Sequence, residues 1–154
     1  MIMHRLSDKW ILWAHLPQDS NWGIESYIQI APISYVEEML SLIHSLPDKL
    51  ITDCMFFLMK EHIKPIWEDV NNKNGGCFSY KISQGIAECW RDLCFSVSGK
   101  TLSPNKLFSN TISGISISPK KKFCIVKVWM STCTYQDPTQ IKMLKPMGCI
   151  FKKH

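Results

Sequence analysis

Short segments in which apolar and polar residues alternate dominate the chain and predict β-strands. Residues 9–14 (KWILWA) open this pattern. Because side chains alternate across a strand, Trp10 and Trp13 are expected on opposite faces, with Leu12 beside Trp10. The same reasoning predicts further strands at residues 27–31, 54–59, 78–82, 114–118, 123–130 and 148–152.

Helical spacing replaces the alternation in two segments. Ser34 stands three residues before Glu37, as in a capping box, and apolar residues then recur every three or four positions until Pro47. On the outer side of a second predicted helix, at residues 84–97, Phe95 lies among charges, either as a harmless exposed aromatic residue or as part of a partner-binding patch. The buried stripe expected on that helix is Ile86, Trp90, Leu93 and Val97.

The order of these elements predicts one α+β domain spanning residues 1–154. Strands come first, then a helix, more strands, a second helix and a hairpin with its turn at residues 119–122, while residues 137–144 can form only a short helix. Such an order suits a curved antiparallel β-sheet with helices packed on its convex face. With 154 residues, 45% of them hydrophobic, the chain can bury a substantial core.

Composition excludes several classes of protein. No apolar run approaches the roughly 20 residues needed to span a bilayer, and the first residues lack the apolar core of a signal peptide. We therefore expect a cytoplasmic protein without membrane contact, with the nucleus left open as a further location. The seven cysteines form no CxxC pair, which indicates reduced thiols. The histidines and glycines form no catalytic, metal-binding or phosphate-loop motif, so neither an enzyme nor a cofactor is expected.

The charge is distributed unevenly along the chain. Twelve of the thirteen acidic residues precede residue 93, whereas ten of the eighteen basic residues follow it. The second part of the chain is therefore where an anion would bind, although lysine-rich stretches are often only solvated. Combined with six tryptophans, this basic field is typical of a protein that binds a nucleotide or single-stranded RNA.

The stretch IKPIWEDVNNKNGGCF, residues 63–78, presents an aromatic residue and an acid together. Trp67 is followed by Glu68, and the Asn-rich run with two glycines predicts a turn before a new strand at Cys77. An aromatic face beside a hydrogen-bond acceptor suits a flat, cationic, donor-bearing ring such as a purine. The alternative is that Trp67 packs over its own loop and Glu68 is solvated.

The strand predicted at residues 123–130 carries a second candidate pair. Lys127 lies two residues from Trp129 and therefore on the same face. This arrangement suits a site with an aromatic floor and an anionic end, but Lys127 could equally be a lysine that protects a sheet edge.

Several of these motifs occur together in one known family. Trp10-x-x-Trp13, a loop tryptophan at Trp22, the stretch IKPIWEDVNNKNGG and a strand ending at Trp129 have the order and approximate spacing of the eukaryotic translation initiation factor 4E family, which the chain resembles from His4 to Trp129. The resemblance implies a cupped sheet that binds the 7-methylguanosine cap of messenger RNA on its concave face. It also implies a scaffold factor 4G-type or repressor peptide on the convex, helical face.

The resemblance assigns roles to individual residues. Trp22 and Trp67 resemble the pair that sandwiches the methylated guanine, and Glu68 resembles the acid that accepts hydrogen bonds from the base. Trp129 resembles the tryptophan beside the N7-methyl group, and Lys120 stands in the place of an arginine that binds the cap phosphates. Methylation makes the ring cationic, so each indole face can contribute on the order of 1 kcal/mol of cation–π attraction.

The chain also departs from the family pattern. Cys77 stands where the family has an arginine, and Ile125 stands where it has a second phosphate-binding lysine. Lys127, on the same strand face, is the candidate replacement, and Lys122 is a further one. The shortened C-terminal region suggests a reduced member of the family, of cellular or viral origin.

On the convex face, His4 and Val36 match partner-binding positions of the family. Leu40 replaces a hallmark tryptophan, and Arg91 and Phe95 replace two leucines, so the partner peptide could differ from the family's. Two functions follow: a monomeric cap-binding protein of translation initiation or its control, or a repressor or interaction and RNA-binding module with the same fold and reduced cap selectivity.

Overall fold

The computed structural model describes residues 2–145 and 148–154. Within these residues the chain forms a curved, seven-stranded antiparallel sheet with the strand order β2-β1-β3-β5-β6-β4-β7. This confirms the predicted α+β class. The strands are β1 (Arg5–His15), β2 (Ile28–Tyr35), β3 (Met55–Lys60), β4 (Gly76–Ile82), β5 (Ile112–Pro119), β6 (Cys124–Met130) and β7 (Ile150–Lys153).

Helices cover one face of this sheet. The helices of the described residues are α1 (Val36–Ser45), α2 (Asp48–Asp53), α3 (Ile86–Ser98) and α4 (Lys106–Asn110). The structure confirms α1 and α3, whereas α2 and α4 are too short to show a helical period in the sequence. The short helix predicted at residues 137–144 is only a 3-10 turn, Pro138–Gln140.

The start of α1 differs from the predicted capping box by one residue. Tyr35, not Ser34, is the N-cap, because β2 continues to that residue. The Glu38 carboxylate accepts hydrogen bonds from the amides of Ser34 and Tyr35, each at 3.0 Å. Glu37 accepts instead from the amide of His4, at 3.0 and 3.1 Å to its two oxygens.

Two apolar clusters lie on opposite sides of the sheet. The larger one fills the space between the sheet and the helices and includes Trp10, Phe78 and Trp90. The smaller one lies on the opposite, concave face and includes Trp13 and Trp129. The alternation predicted for β1 therefore holds, and it sends one of its two tryptophans to each side.

Helix α3 buries most of its predicted stripe. Trp90, Leu93 and Val97 are buried, whereas Ile86, the first residue of the helix, is only partly buried. Phe95, expected to point outward, is also partly buried, and its ring centroid lies 5.2 Å from that of His44. In the described residues no helix is long and apolar enough to cross a membrane. All seven cysteines are unpaired.

Candidate functional site

A cavity of about 530 Å³ opens on the concave face. It lies between the Trp22 loop (residues 16–27), the Trp67 loop (residues 61–75) and the sheet beneath them. The structure does not bring Lys122 to it, and that side chain is exposed on the β5–β6 turn. The predicted residues that do line the cavity are Trp22, Trp67, Glu68, Lys120, Lys127 and Trp129.

Asp69 folds the Trp67 loop back on itself. One carboxylate oxygen accepts a hydrogen bond from the amide of Lys64 at 2.9 Å, and the other accepts from the amide of Asn71 at 2.8 Å. An acid that caps amides on both sides of its own position fixes the chain between them, as aspartate does in many turns. Trp67 and Glu68 lie inside this fixed segment, and both are exposed to the cavity.

Asn72 supports the same loop from inside. Its side chain is fully buried, and its amide nitrogen donates to the carbonyl oxygens of Lys64 at 3.1 Å and Ile66 at 2.9 Å. Gly75 then passes so close to β6 that an added Cβ would lie 1.8 Å from the backbone oxygen of Met130. The polar residues that predicted a turn are therefore the internal framework of the loop.

The Trp22 loop holds its indole differently. Trp22 is 51% exposed, and the back of its ring stacks on the imidazole of His15, with centroids 4.1 Å apart and planes 5° from parallel. His15 is completely buried, and its Nε2–H donates to the carbonyl oxygen of Asn21 at 2.7 Å. One face of the indole is thus packed and the other is open to the cavity. No pattern in the sequence indicates that His15 supports the site.

Aromatic rings continue across the floor of the cavity. Tyr27 contacts the ring of His15 at 4.8 Å and that of Phe57 at 5.3 Å, and Phe57 in turn meets Trp129 at 6.3 Å. The indole nitrogen of Trp129 donates to the Ser116 hydroxyl at 2.9 Å. Burial and the negative charge of Glu68 raise the pKa of Tyr27 to about 12, so its hydroxyl stays protonated at neutral pH.

Two lysines also line the cavity. Lys127 is paired in register with Ser79 of β4 and Ser116 of β5, so its stem rises between two short polar side chains. Lys120 lies at the tip of the hairpin, where its amide donates to the carbonyl oxygen of Phe123 at 2.8 Å. Glu68, which follows Trp67 in the chain, is the only acid in the lining drawn from the described residues.

A second cavity, of about 280 Å³, adjoins the first and shares Trp67, Lys127 and Trp129 with it. Its other lining residues are Cys77, Lys152, Lys153 and His154. The last three of these residues were not predicted from the sequence. The signal available was the positive charge of the two lysines at the end of a predicted strand, but no local pattern showed which strand they would pair with.

The convex face carries a small apolar groove of about 90 Å³. Three of the predicted partner-binding residues line it, namely Val36, Leu40 and Phe95. Arg91 does not line it, because its guanidinium donates to the Leu46 carbonyl oxygen at 2.7 Å and pairs with Asp48. His4 does not line it either, and its amide and ring bind Glu37, whose pKa they lower.

Comparison with known proteins gives a consistent picture. A family model described as "Eukaryotic initiation factor 4E" matches residues 5–148. Eukaryotic translation initiation factor 4E of Candida albicans is 28% identical over 150 residues, covering 90% of this chain and 68% of that protein. Eukaryotic translation initiation factor 4E-1 of Schizosaccharomyces pombe is also 28% identical, covering 99% of this chain and 69% of the relative.

Solved structures share the fold. Ascaris suum eIF4E-3 with m7G cap is 26% identical, with a TM-score of 0.75, over 86% of this chain and 76% of that chain. C. elegans eIF4E-3 with the 4E-binding protein Mextli and a cap analog is 24% identical, with a TM-score of 0.76, over 86% and 77%. Schistosome eIF4E complexed with m7GpppG and 4E-BP is 20% identical, with a TM-score of 0.79, over 87% and 75%.

Proposed function

The chain belongs to the eukaryotic initiation factor 4E family, and we propose that it binds the 7-methylguanosine cap of messenger RNA and acts in translation initiation or its control. The observation that carries this proposal is the concave cavity, which is lined by two exposed indoles, one acid and two lysines. The Ascaris suum relative was solved with m7G cap, which supports the same ligand class here.

The two loop tryptophans form a clamp for the base. Trp22 is 51% exposed and Trp67 59% exposed, so a ring inserted between the loops covers apolar surface that the fold leaves open. The positive charge of a 7-methylated guanine adds cation–π attraction of on the order of 1 kcal/mol per indole face. Methylated guanine is therefore favoured over guanine by charge rather than by shape.

Glu68 identifies the base. Guanine presents two adjacent N–H groups on one edge, and a carboxylate can accept both in a charge-assisted pair. Adenine and the pyrimidines lack this pair of donors. Trp129 cannot take part through its N–H, which already donates to Ser116, so it contributes the surface of its ring.

Lys120 and Lys127 bind the phosphates of the cap. They are the cations of the cavity, and they lie on the hairpin of β5 and β6 that forms its floor.

Calorimetric titration with 7-methyl-GTP and GTP tests the proposal. We expect at least roughly tenfold tighter binding of 7-methyl-GTP, about 1.4 kcal/mol. Glu68→Gln should lower the affinity for both nucleotides, because both present the same N–H pair. Trp67→Leu should instead reduce the difference in affinity between 7-methyl-GTP and GTP. Equal affinities for the two nucleotides in the unaltered protein would exclude selective cap binding.

A second candidate function is an RNA-binding or interaction module with reduced cap selectivity. Cys77 and Ile125, which stand in place of two cations of the family, are the observations that favour it. Such a protein would bind RNA regardless of its 5′ end and with a steep dependence on salt. The nucleotide titration separates the two candidates, since only the cap-binding protein prefers 7-methyl-GTP.

The convex groove offers a place for a peptide of a scaffold or repressor protein. Val36, Leu40 and Phe95 supply an apolar surface there, and the C. elegans and schistosome relatives were solved with 4E-binding proteins. Fluorescence anisotropy with a labelled scaffold factor 4G peptide and a repressor peptide, with Leu40→Asp as the control, tests this assignment. Binding of the scaffold peptide favours a role in initiation, and binding of the repressor peptide alone favours repression.

A further inference from the structure

The cavity beside the clamp is unusually basic. Lys127, Lys152, Lys153 and His154 line it, and no acidic residue does so in the part of the chain that the structure describes. It opens next to Trp67 and Trp129, which also belong to the clamp cavity. An anionic group attached to a ligand in the clamp would therefore lie within reach of these lysines as well as of Lys120.

The register of the sheet relates Lys152 to Cys77. Cys77 is paired with Trp129 of β6 on one side and with Lys152 of β7 on the other. The next pair, Phe78 and Phe151, packs ring against ring in the core at 4.9 Å. Because side chains alternate, Cys77 and Lys152 leave the sheet on the opposite, concave face, with Cβ atoms about 5 Å apart.

A lysine can span that separation. Neighbouring strands lie about 4.8 Å apart. The four-carbon stem of lysine is long and flexible enough to carry an ammonium group across one strand. Cys77 has a short side chain and lines the second cavity together with Lys152, so the space above it is open to the exposed side chain of Lys152. A cation that begins on β7 can thus reach the space above Cys77.

Strand β7 is fixed to the loop that carries Trp67. The amide of His154 donates to the carbonyl oxygen of Gly75 at 2.9 Å, and its Nδ1–H donates to that of Asn72 at 2.8 Å. The imidazole also lies 5.3 Å from the Trp129 ring. The strand that bears the lysines and the loop that bears the indole therefore keep a defined distance from each other.

We propose that Lys152, acting with Lys127, binds the phosphate chain of the capped RNA end and supplies from β7 the cation that is absent at Cys77. The inference rests on the proposed cap-binding function and adds a phosphate-binding residue from a different strand. Lys153 extends the same positive field, but Lys152 is the residue whose register places it beside Cys77.

The test compares ligands with and without phosphate. Lys152→Gln should lower the affinity for 7-methyl-GTP roughly fivefold, since it removes one charge-assisted contact, and should leave the affinity for the nucleoside 7-methylguanosine unchanged. Lys106→Gln is the matched control, because Lys106 is exposed on α4 and lines neither cavity. Loss of 7-methyl-GTP affinity equal to that of the control would overturn the proposal. An equal loss for the nucleoside would overturn it as well, by assigning Lys152 a packing role.

A double variant tests whether a cation at position 77 can replace the one at position 152. Adding Cys77→Arg to Lys152→Gln should restore most of the 7-methyl-GTP affinity, and a folded double variant without recovery would contradict the exchange. The titration of the unaltered protein separates failure of the proposed cap-binding function from failure of the role proposed for Lys152. No preference for 7-methyl-GTP over GTP defeats the proposed function, whereas a clear preference that Lys152→Gln leaves intact defeats only this inference.

Discussion

The two loops that flank the concave cavity differ in the contacts that hold their tryptophans. The Trp22 loop relies on a side chain, since the indole lies flat against the buried imidazole of His15. The Trp67 loop relies on its backbone, which Asp69 and Asn72 hold in place through hydrogen bonds to amides and carbonyl groups. Polar side chains also fix the backbone of the Trp22 loop, where the amides of Asn21 and Gly23 donate to Asp19 and Asn21 at 2.9 Å each, so the ring stacked behind Trp22 is the main difference between the two loops.

This difference predicts different sensitivities. Loss of the His15 imidazole frees one indole to rotate, and it also removes the hydrogen bond to Asn21 and the ring contact with Tyr27. Loss of a loop hydrogen bond leaves backbone carbonyl groups unpaired and loosens several residues together. Substitutions in the Trp67 loop should therefore lower global stability, whereas those behind Trp22 should lower affinity.

Gly75→Ala is expected to have the largest effect. The new methyl group would collide with the backbone oxygen of Met130, which cannot move without disturbing β6. We expect a loss of about 3 kcal/mol in the free energy of unfolding, measured by urea denaturation. Gly85→Ala is the control, since its Cβ meets nothing within 4 Å and only its φ of 58° opposes the change. That strain costs about 1–2 kcal/mol. Equal losses in the two variants would show that Gly75 is not tightly packed against β6.

Asn72→Ala should have the next largest effect. It removes two hydrogen bonds to backbone carbonyl oxygens, each of which contributes about 1 kcal/mol, so we expect a loss of about 2 kcal/mol in the free energy of unfolding. Asn74→Ala, at an exposed position of the same loop, should change stability by less than about 0.5 kcal/mol. If Asn72→Ala is as stable as Asn74→Ala, the Trp67 loop does not depend on its internal framework.

His15→Ala is expected to have the smallest of the three effects, measured as a loss of affinity for the ligand. Stacked aromatic pairs contribute about 1 kcal/mol, so we expect roughly fivefold weaker binding of 7-methyl-GTP. His15→Phe keeps a ring behind Trp22 and should recover most of that affinity, although it loses the hydrogen bond to Asn21. A phenylalanine variant as weak as the alanine variant would assign the effect to the hydrogen bond instead of the stack.

The same contrast explains what the sequence could predict. Asp69, Asn72 and Gly75 lie within eight residues of Trp67, and turn chemistry is local, so the loop and the start of β4 were predictable. The contact between His15 and Trp22 depends on how a seven-residue excursion folds back onto β1, and no periodic pattern reports it. The stacking of Trp22 on His15 could therefore be seen only in the structure.

Strand pairing sets a second limit. The sequence placed a strand near residues 148–152, but only the fold reveals that β7 pairs with β4 and brings Lys152 beside Cys77. The lysines of the β5–β6 turn show the same limit, since adjacent residues of a turn point in different directions: Lys120 lines the cavity and Lys122 does not. The alternation of residues predicted which side chains of a long strand share a face, but it did not predict which strands lie next to a short one.

The unequal burial of the tryptophans has an optical consequence. Trp10, Trp13, Trp90 and Trp129 are 8% exposed or less, whereas Trp22 and Trp67 are more than half exposed. A water-soluble collisional quencher should therefore reduce the fluorescence of Trp22 and Trp67 strongly and that of the other four tryptophans only slightly. A planar ligand held between the loops would shield both at once, while the blue-shifted emission of the buried indoles would provide an internal standard. The protein thus contains a spectroscopic reporter of whether its clamp is open or filled.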